Sequence, residues 1–263
     1  MSAGRGFPFP VKVCGVRSTA EAELCARAGA THVGINPWPH SPRRVTPAQA
    51  RSLAEVSRRL GLVPVLLHLP GSPLGERDLL SFAPAVVQWY GPLPEALLRR
   101  FLREGLAVWE ARKAGGDRVP GTGNPGTPEP PAVFAPGGGL GPPTGTAERE
   151  PPFPYPAMAP PRRGTVLLLD GPGPGAGGTG RPWAWGALRG AAFPFLLAGG
   201  LDPENVARAV EACSPSGVDA ASGVESSPGR KEPGRLRAFC AAARESLLRW
   251  GGPPPPTPRG GAP

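Results

Sequence analysis

The sequence predicts an α/β fold, a (β/α)8 TIM barrel with a disordered Pro/Gly-rich insert after its fifth strand, and three observations carry that reading. Eight short apolar runs recur along the 263 residues. Most are followed by an amphipathic segment with start and stop signals, and parallel neighbours need such crossover connections. With one long break set aside, the spacing is about 27 residues per βα unit, the compact end for an eightfold barrel. The same alternation also fits a doubly wound open sheet.

The first run is VKVCGV, 11–16. Ser18 and Glu21 after it form a capping-box pattern, opening a helix that ends near Gly29. THVGIN, 31–36, is the second strand, and Thr46, Pro47 and Gln49 then start a helix that stops at Gly61. LVPVLLHL, 62–69, is the third strand. A weak helix with Leu74, Leu79 and Leu80 leads to PAVVQWY, 84–90. Leu97, Leu98, Phe101 and Leu102 share one helical face before Gly105 and the fifth strand, LAVWEA, 106–111. After the break come TVLLLD, 165–170, and FPFLLAG, 193–199. A helix then starts at Asp202 and Pro203, SGVDAAS, 216–222, is the eighth strand, and Leu236, Phe239, Cys240, Ala243 and Leu247 line a final helix.

The break, 114–164, is about half Gly and Pro and keeps no apolar period, so it cannot bury enough surface to offset its ordering entropy. It takes the place of the fifth helix within a single domain spanning 11–250. The segment 251–263 reads as a disordered tail. No apolar run approaches the roughly 20 residues of a membrane helix, and the opening MSAGRGFPFP has no apolar signal core. Cys14, Cys25, Cys213 and Cys240 form no CxxC pair, and His32, His40 and His68 lack ligand spacing, so no metal is expected and reduced thiols in a cytoplasmic setting are. The net charge of +9 comes from dispersed arginines without a basic run. A solvated surface explains it, and neither nucleic acid nor a membrane is expected as partner.

In such barrels the reacting groups sit at the C-terminal strand ends, with phosphate often held after strands seven and eight. Here those ends carry Cys14, Asp170, the pair Gly199 and Gly200, and the pair Ser222 and Gly223. Small residues let backbone N–H groups approach an anion, while a thiol and a carboxylate on facing strands can divide acid and base work. Taken alone, Cys14 is equally a small core residue, and Asp170 is better explained as a solvated turn than as a catalytic group. Asp219, a carboxylate inside an apolar strand, is costly without a partner and points to a polar barrel interior.

VKVCG, SPRRVTP, QWYG, LLLD followed by GGTG, LAGGLDPENV and VDAASGVESSPGRK, in this order and spacing, resemble phosphoribosylanthranilate isomerases over nearly the whole chain outside the insert. The resemblance implies an Amadori rearrangement of N-(5-phosphoribosyl)anthranilate to 1-(2-carboxyphenylamino)-1-deoxyribulose 5-phosphate in tryptophan biosynthesis, an aldose–ketose isomerisation needing no cofactor. It implies Asp170 as general acid, Cys14 as general base, and Arg43 on the anthranilate carboxylate. Asp219 falls to the opening sugar, and Gly199, Gly200, Ser222 and Gly223 to the phosphate. Gly177, Gly178, Thr179 and Gly180 fall to an active-site loop. The partner implied is this small phosphorylated substrate, and the chain is expected as a monomer or homodimer.

The chain departs from the family pattern in several places. Trp89 and Tyr90 stand in QLHG, His68 where asparagine is usual, Glu110 in place of a lysine, Trp183-Ala184-Trp185 in place of FDW, and Asn36 or Pro37 at an aromatic position. Two other readings therefore stand beside an active isomerase. One is a phosphate-binding barrel that has lost catalysis. The other is a basic, Pro-rich protein whose insert recruits partners. A sister Amadori isomerase of the histidine pathway uses two aspartates, and Cys14 argues against it.

Overall fold

Eight parallel strands close in chain order: β1 (Val11–Cys14), β2 (His32–Ile35), β3 (Val63–His68), β4 (Val86–Tyr90), β5 (Ala107–Lys113), β6 (Thr165–Asp170), β7 (Phe195–Leu197) and β8 (Gly217–Ala220). In this computed structural model residues 7–82, 85–113, 161–171 and 183–255 are described. The closing seam joins β1 to β8 with Lys12 opposite Asp219. Closure settles the open-sheet alternative.

Most strands are shorter than the apolar runs that mark them, because the runs continue past the ladder into the loops above it. Gly199 and Gly200, for example, have φ of 86° and 69° and leave β7. Strand β5 differs in the other direction. It continues past the apolar pattern through Arg112 and Lys113, whose backbones pair with Leu169 and Asp170 of β6. The ladder outweighs the polarity of the two side chains.

Six helices are described: α1 (Thr19–Ala28), α2 (Pro47–Arg59), α3 (Glu76–Leu80), α4 (Glu95–Arg103), α5 (Val206–Cys213) and α6 (Pro233–Trp250). Their ends follow the sequence signals. The Ser18 hydroxyl accepts from Glu21 N at 3.2 Å, and Gly29 ends α1 in the left-handed region at φ 92°. Thr46 and Gln49 form a reciprocal capping box at α2, at 3.2 and 2.8 Å. After β6 the described residues hold a 3-10 turn, Trp185–Leu188, and after β8 an antiparallel hairpin, β9 (Glu225–Ser227) and β10 (Arg230–Lys231). The hairpin was not foreseen, since its five residues carry no apolar alternation.

Alternation along the strands makes two cores. Val65, Val86, Trp109, Val166, Leu168, Leu196 and Ala198 fill the barrel interior, while Val13, Val33, Leu167, Leu197 and Val218 meet the helices outside. Glu110 faces the outer side between β5 and β6. It accepts from Arg162 at 3.0 Å, Arg112 at 3.2 Å and Thr165 at 2.8 Å, while Arg162 also donates to Leu93 O at 2.8 Å. Burial works against its charge, yet the bonds from Arg162 and Thr165 hold its carboxyl below the usual glutamate range. The acid at this position thus belongs to a polar seam.

Of the expected insert, residues 161–164 form a turn in which Thr165 N donates to Arg162 O at 2.9 Å, and the remainder lies outside the described residues. In the expected tail, Gly251 N closes α6 on Leu247 O and Gly252 N donates to Pro215 O at 3.1 Å; residues 256–263 lie outside the described set. No helix among the described residues is long and apolar enough to cross a membrane.

Candidate active site

A cavity of about 400 Å³ opens at the C-terminal ends of the strands, lined among others by Cys14, Arg43, Tyr90, Asp170, Asp219 and Ser222. Cys14 is the last residue of β1, and its strand end is fixed where Gly15 N and Val16 N both donate to Gly34 O at 2.9 Å. Gly15 turns the chain away at φ 77°. Cys14 is only 9% exposed. Burial pushes its pKa up and nearby Asp219 adds to this, while Lys12 and Lys231 oppose them.

Two residues before Cys14 on the same strand, Lys12 is completely buried and donates to Asp219 Oδ2 at 2.7 Å. Burial alone would lower the lysine, but Asp219 and Cys14 outweigh it and the ammonium holds its proton more firmly than usual. Asp219 is held above the usual carboxylate range by burial, against the pull of Lys12. Its second oxygen has no hydrogen-bond partner among the described residues. A buried, unpaired carboxylate oxygen beside a polar cavity is an acceptor for a ligand hydroxyl.

Asp170 ends β6. Its Oδ1 accepts from Gly171 N at 2.9 Å and its Oδ2 from Lys113 Nζ, the last residue of β5, at 2.8 Å. A side chain at Gly199 would run into Gly171 N and Asp170 Oδ1, so glycine there serves both the positive φ and the close approach of neighbouring loops.

Arg43 and the hairpin form one network. Arg43 Nε and Nη2 donate to the two oxygens of Glu225 at 2.8 and 2.7 Å, a bidentate fork. Lys231 Nζ donates to Glu225 at 2.7 Å, to Cys14 O at 2.6 Å and to Ala221 O at 3.2 Å, tying the ends of β1 and β8 to the hairpin. Burial opposes ionisation of Glu225, but Arg43 and Lys231 prevail and its pKa is lowered. Gly199, Gly200 and Ser222 line the cavity. Gly223 packs beneath it, where any side chain would meet Leu201 O.

The altered positions shape the remaining wall. Gln88 Nε2 lies 2.6 Å from the Tyr90 hydroxyl, and burial holds that phenol well above its ordinary pKa. Asn36 Oδ1 accepts from Trp38 N at 3.0 Å, and both line the cavity. His68 stacks on Trp89 at 3.9 Å with its pKa lowered by burial.

The structure therefore brings Cys14, Arg43, Asp170, Asp219, Gly199, Gly200 and Ser222 to one cavity and puts Gly223 in its support. Gly177, Gly178, Thr179 and Gly180 lie outside the described residues. Lys12, Lys113, Glu225 and Lys231 escaped the sequence reading. For Lys12 a signal was present: it breaks an apolar strand as Asp219 does. Among the described residues no His, Cys, Asp and Glu cluster is placed to hold a metal ion. Chemically, the site offers a thiol and a carboxylate on different strands, an arginine at the rim, and a glycine-lined end fit for an oxyanion.

Residues 158–242 match the family model described as N-(5'-phosphoribosyl)anthranilate (PRA) isomerase. Curated relatives of that name from Myxococcus xanthus and Deinococcus radiodurans are each 34% identical. They cover 91% and 90% of this chain and 98% and 97% of their own. The solved phosphoribosyl anthranilate isomerase of Thermotoga maritima superposes with a TM-score of 0.67 at 25% identity, over 90% of this chain and 99% of that one. The Thermus thermophilus enzyme gives 0.61 at 28% identity, over 91% and 100%.

Proposed function

The chain belongs to the N-(5'-phosphoribosyl)anthranilate isomerase family, and from that premise we propose that its cavity isomerises phosphoribosylanthranilate with Asp170 as acid and Cys14 as base. The observation that carries the proposal is that Cys14 and Asp170 line one cavity together with Arg43 and Asp219.

Asp170 gives a proton to the furanose ring oxygen. The C1–O bond breaks with its electron pair going to that oxygen, and the nitrogen lone pair forms the C1=N bond of a Schiff base. The carboxylate left behind after the transfer is paired with Lys113 Nζ at 2.8 Å. The Cys14 thiolate then takes the C2 proton. The C–H pair becomes the C1=C2 bond and the C1=N pair returns to nitrogen, giving an enolamine that tautomerises to the ketone. Only protons and bonds within the substrate move, so the step is an intramolecular aldose–ketose conversion needing no redox cofactor.

The supporting roles follow from charge and shape. Arg43 keeps one terminal nitrogen free of its fork on Glu225 to meet the anthranilate carboxylate. The unpaired oxygen of Asp219 accepts from a sugar hydroxyl. Gly199, Gly200 and Ser222, supported by Gly223, hold the phosphate, and Gly177, Gly178, Thr179 and Gly180 are assigned to a substrate-covering loop on family resemblance alone. On this reading the chain acts in tryptophan biosynthesis in the cytoplasm, as a monomer or homodimer.

The test is the loss of phosphoribosylanthranilate fluorescence, with the substrate generated in situ, on adding purified protein. Decay in proportion to protein supports the isomerase. Binding of a reduced product analogue without any decay would instead support the barrel that has lost catalysis.

A further inference from the structure

Lys12 is a puzzle for a purely structural account. It is a complete lysine side chain inside the barrel, with one carboxylate partner, and such a pair stabilises a fold little better than well-packed apolar residues would. Its place relative to Cys14 is specific. Both side chains leave β1 on the same side, and a Cβ at Gly34 would stand 2.7 Å from Cys14 Sγ and 3.1 Å from Lys12 Cε. The ammonium arm and the thiol therefore share one wall of the barrel.

We propose that Lys12 is the positioning residue that keeps a fixed positive charge beneath Cys14, so that the sulfur can carry negative charge in a site otherwise crowded with anions. This rests on the base role given to Cys14 above.

The surroundings of Cys14 explain why a cation is needed there. Asp219 on β8 and Asp170 on β6 are carboxylates, Tyr90 on β4 is a neutral phenol, and the substrate brings a carboxylate and a phosphate. Of the other cations, Lys231 on β10 points at Cys14 O, Ala221 O and Glu225, Arg43 is forked on Glu225, and Lys113 on β5 is engaged by Asp170. His32, opposite Lys12 on β2, is held neutral by burial and by that same ammonium. Lys12 spends one N–H on Asp219 and has two more within the barrel interior. Among the charges acting on the thiol its pull toward ionisation is the largest, exceeding the opposing push of Asp219. Lys12 exchanges no proton in this scheme. The thiolate takes the C2 proton and becomes a thiol while the ammonium stays charged.

The test is the rate at which iodoacetamide alkylates Cys14 between pH 6 and 10, followed by peptide mass spectrometry on the full chain. The peptide readout separates Cys14 from Cys25, Cys213 and Cys240, whose thiols burial pushes up to about 12. At each pH below the thiol pKa, Lys12→Met is expected to slow alkylation roughly tenfold or more, and Lys12→Arg to restore most of the rate. Should Lys12→Met leave Asp219 too poorly paired to fold, Lys12→Met/Asp219→Asn removes both charges and is still expected to slow alkylation. An unchanged alkylation profile in either folded variant overturns the proposal. Alkylation needs no turnover, so this failure is separate from a failure of the wild-type chain to isomerise.

Discussion

Gly34→Ala is the most informative single-methyl perturbation of this site. Gly34 lies directly opposite Cys14 in the β1–β2 ladder, and an added Cβ would stand 2.7 Å from Sγ and 3.0 Å from Cys14 Cα, where ordinary contact begins at 3.4 Å. The strands cannot part easily, because Gly34 O accepts from both Gly15 N and Val16 N. Relief must come from the thiol swinging away from the cavity. Overpacking of this kind costs about 1–3 kcal/mol. Displacing a reacting atom by about 1 Å costs on the order of a hundredfold in rate. Thermal melts followed by circular dichroism should show a folded protein with a lowered midpoint, and phosphoribosylanthranilate turnover should fall by about that hundredfold factor. A folded Gly34→Ala protein with wild-type turnover would refute the placement of Cys14 Sγ as the reacting atom.

Acid should destabilise the fold through His32, whose pKa is pulled down to about 3 by burial and by Lys12 while the unfolded chain binds its proton near 6.5. The unfolded state thus takes up more protons as pH falls from about 6.5 toward 3, and going from pH 7 to 5 should cost up to about 2 kcal/mol. Urea midpoints for the wild type and His32→Gln should converge at the lower pH, and parallel curves would contradict the argument. Glu225→Gln leaves Arg43 and Lys231 without their shared carboxylate. It should lower stability by about 3 kcal/mol, the cost of breaking a buried pair, and raise KM more than it changes kcat, which steady-state kinetics beside urea melts would show. Thr46→Ala removes the hydroxyl of the α2 capping box and should cost about 1 kcal/mol with turnover intact; lost activity would mean that α2 couples to the site.

The parts of the fold legible in the sequence are those set by local chemistry. Ser18 and Glu21, and Thr46 and Gln49, mark helix starts because caps are built from neighbours in the chain. The inward positions of β6 follow from alternation, so Asp170 arrives at the strand end as its place in TVLLLD implies. Electrostatic partners were less visible because they join residues far apart in sequence. Lys12 meets Asp219 across 207 positions and Lys113 meets Asp170 across 57. The hairpin of Glu225 and Lys231 is held by side-chain bonds to Arg43 and to the end of β1, which no periodic pattern announces. Glu110 shows the same limit. Its charge reversal has meaning only beside Arg162 and Thr165, which reach it through folding.

The central claim, that one cavity uses Cys14 as base and Asp170 as acid on phosphoribosylanthranilate, is tested most directly by fluorescence decay of that substrate. The assay would compare the wild type, Cys14→Ser and Asp170→Asn, each shown to be folded. The account predicts decay with the wild type and turnover lower by about 10²–10⁴ in each variant. Wild-type turnover in either variant would contradict it.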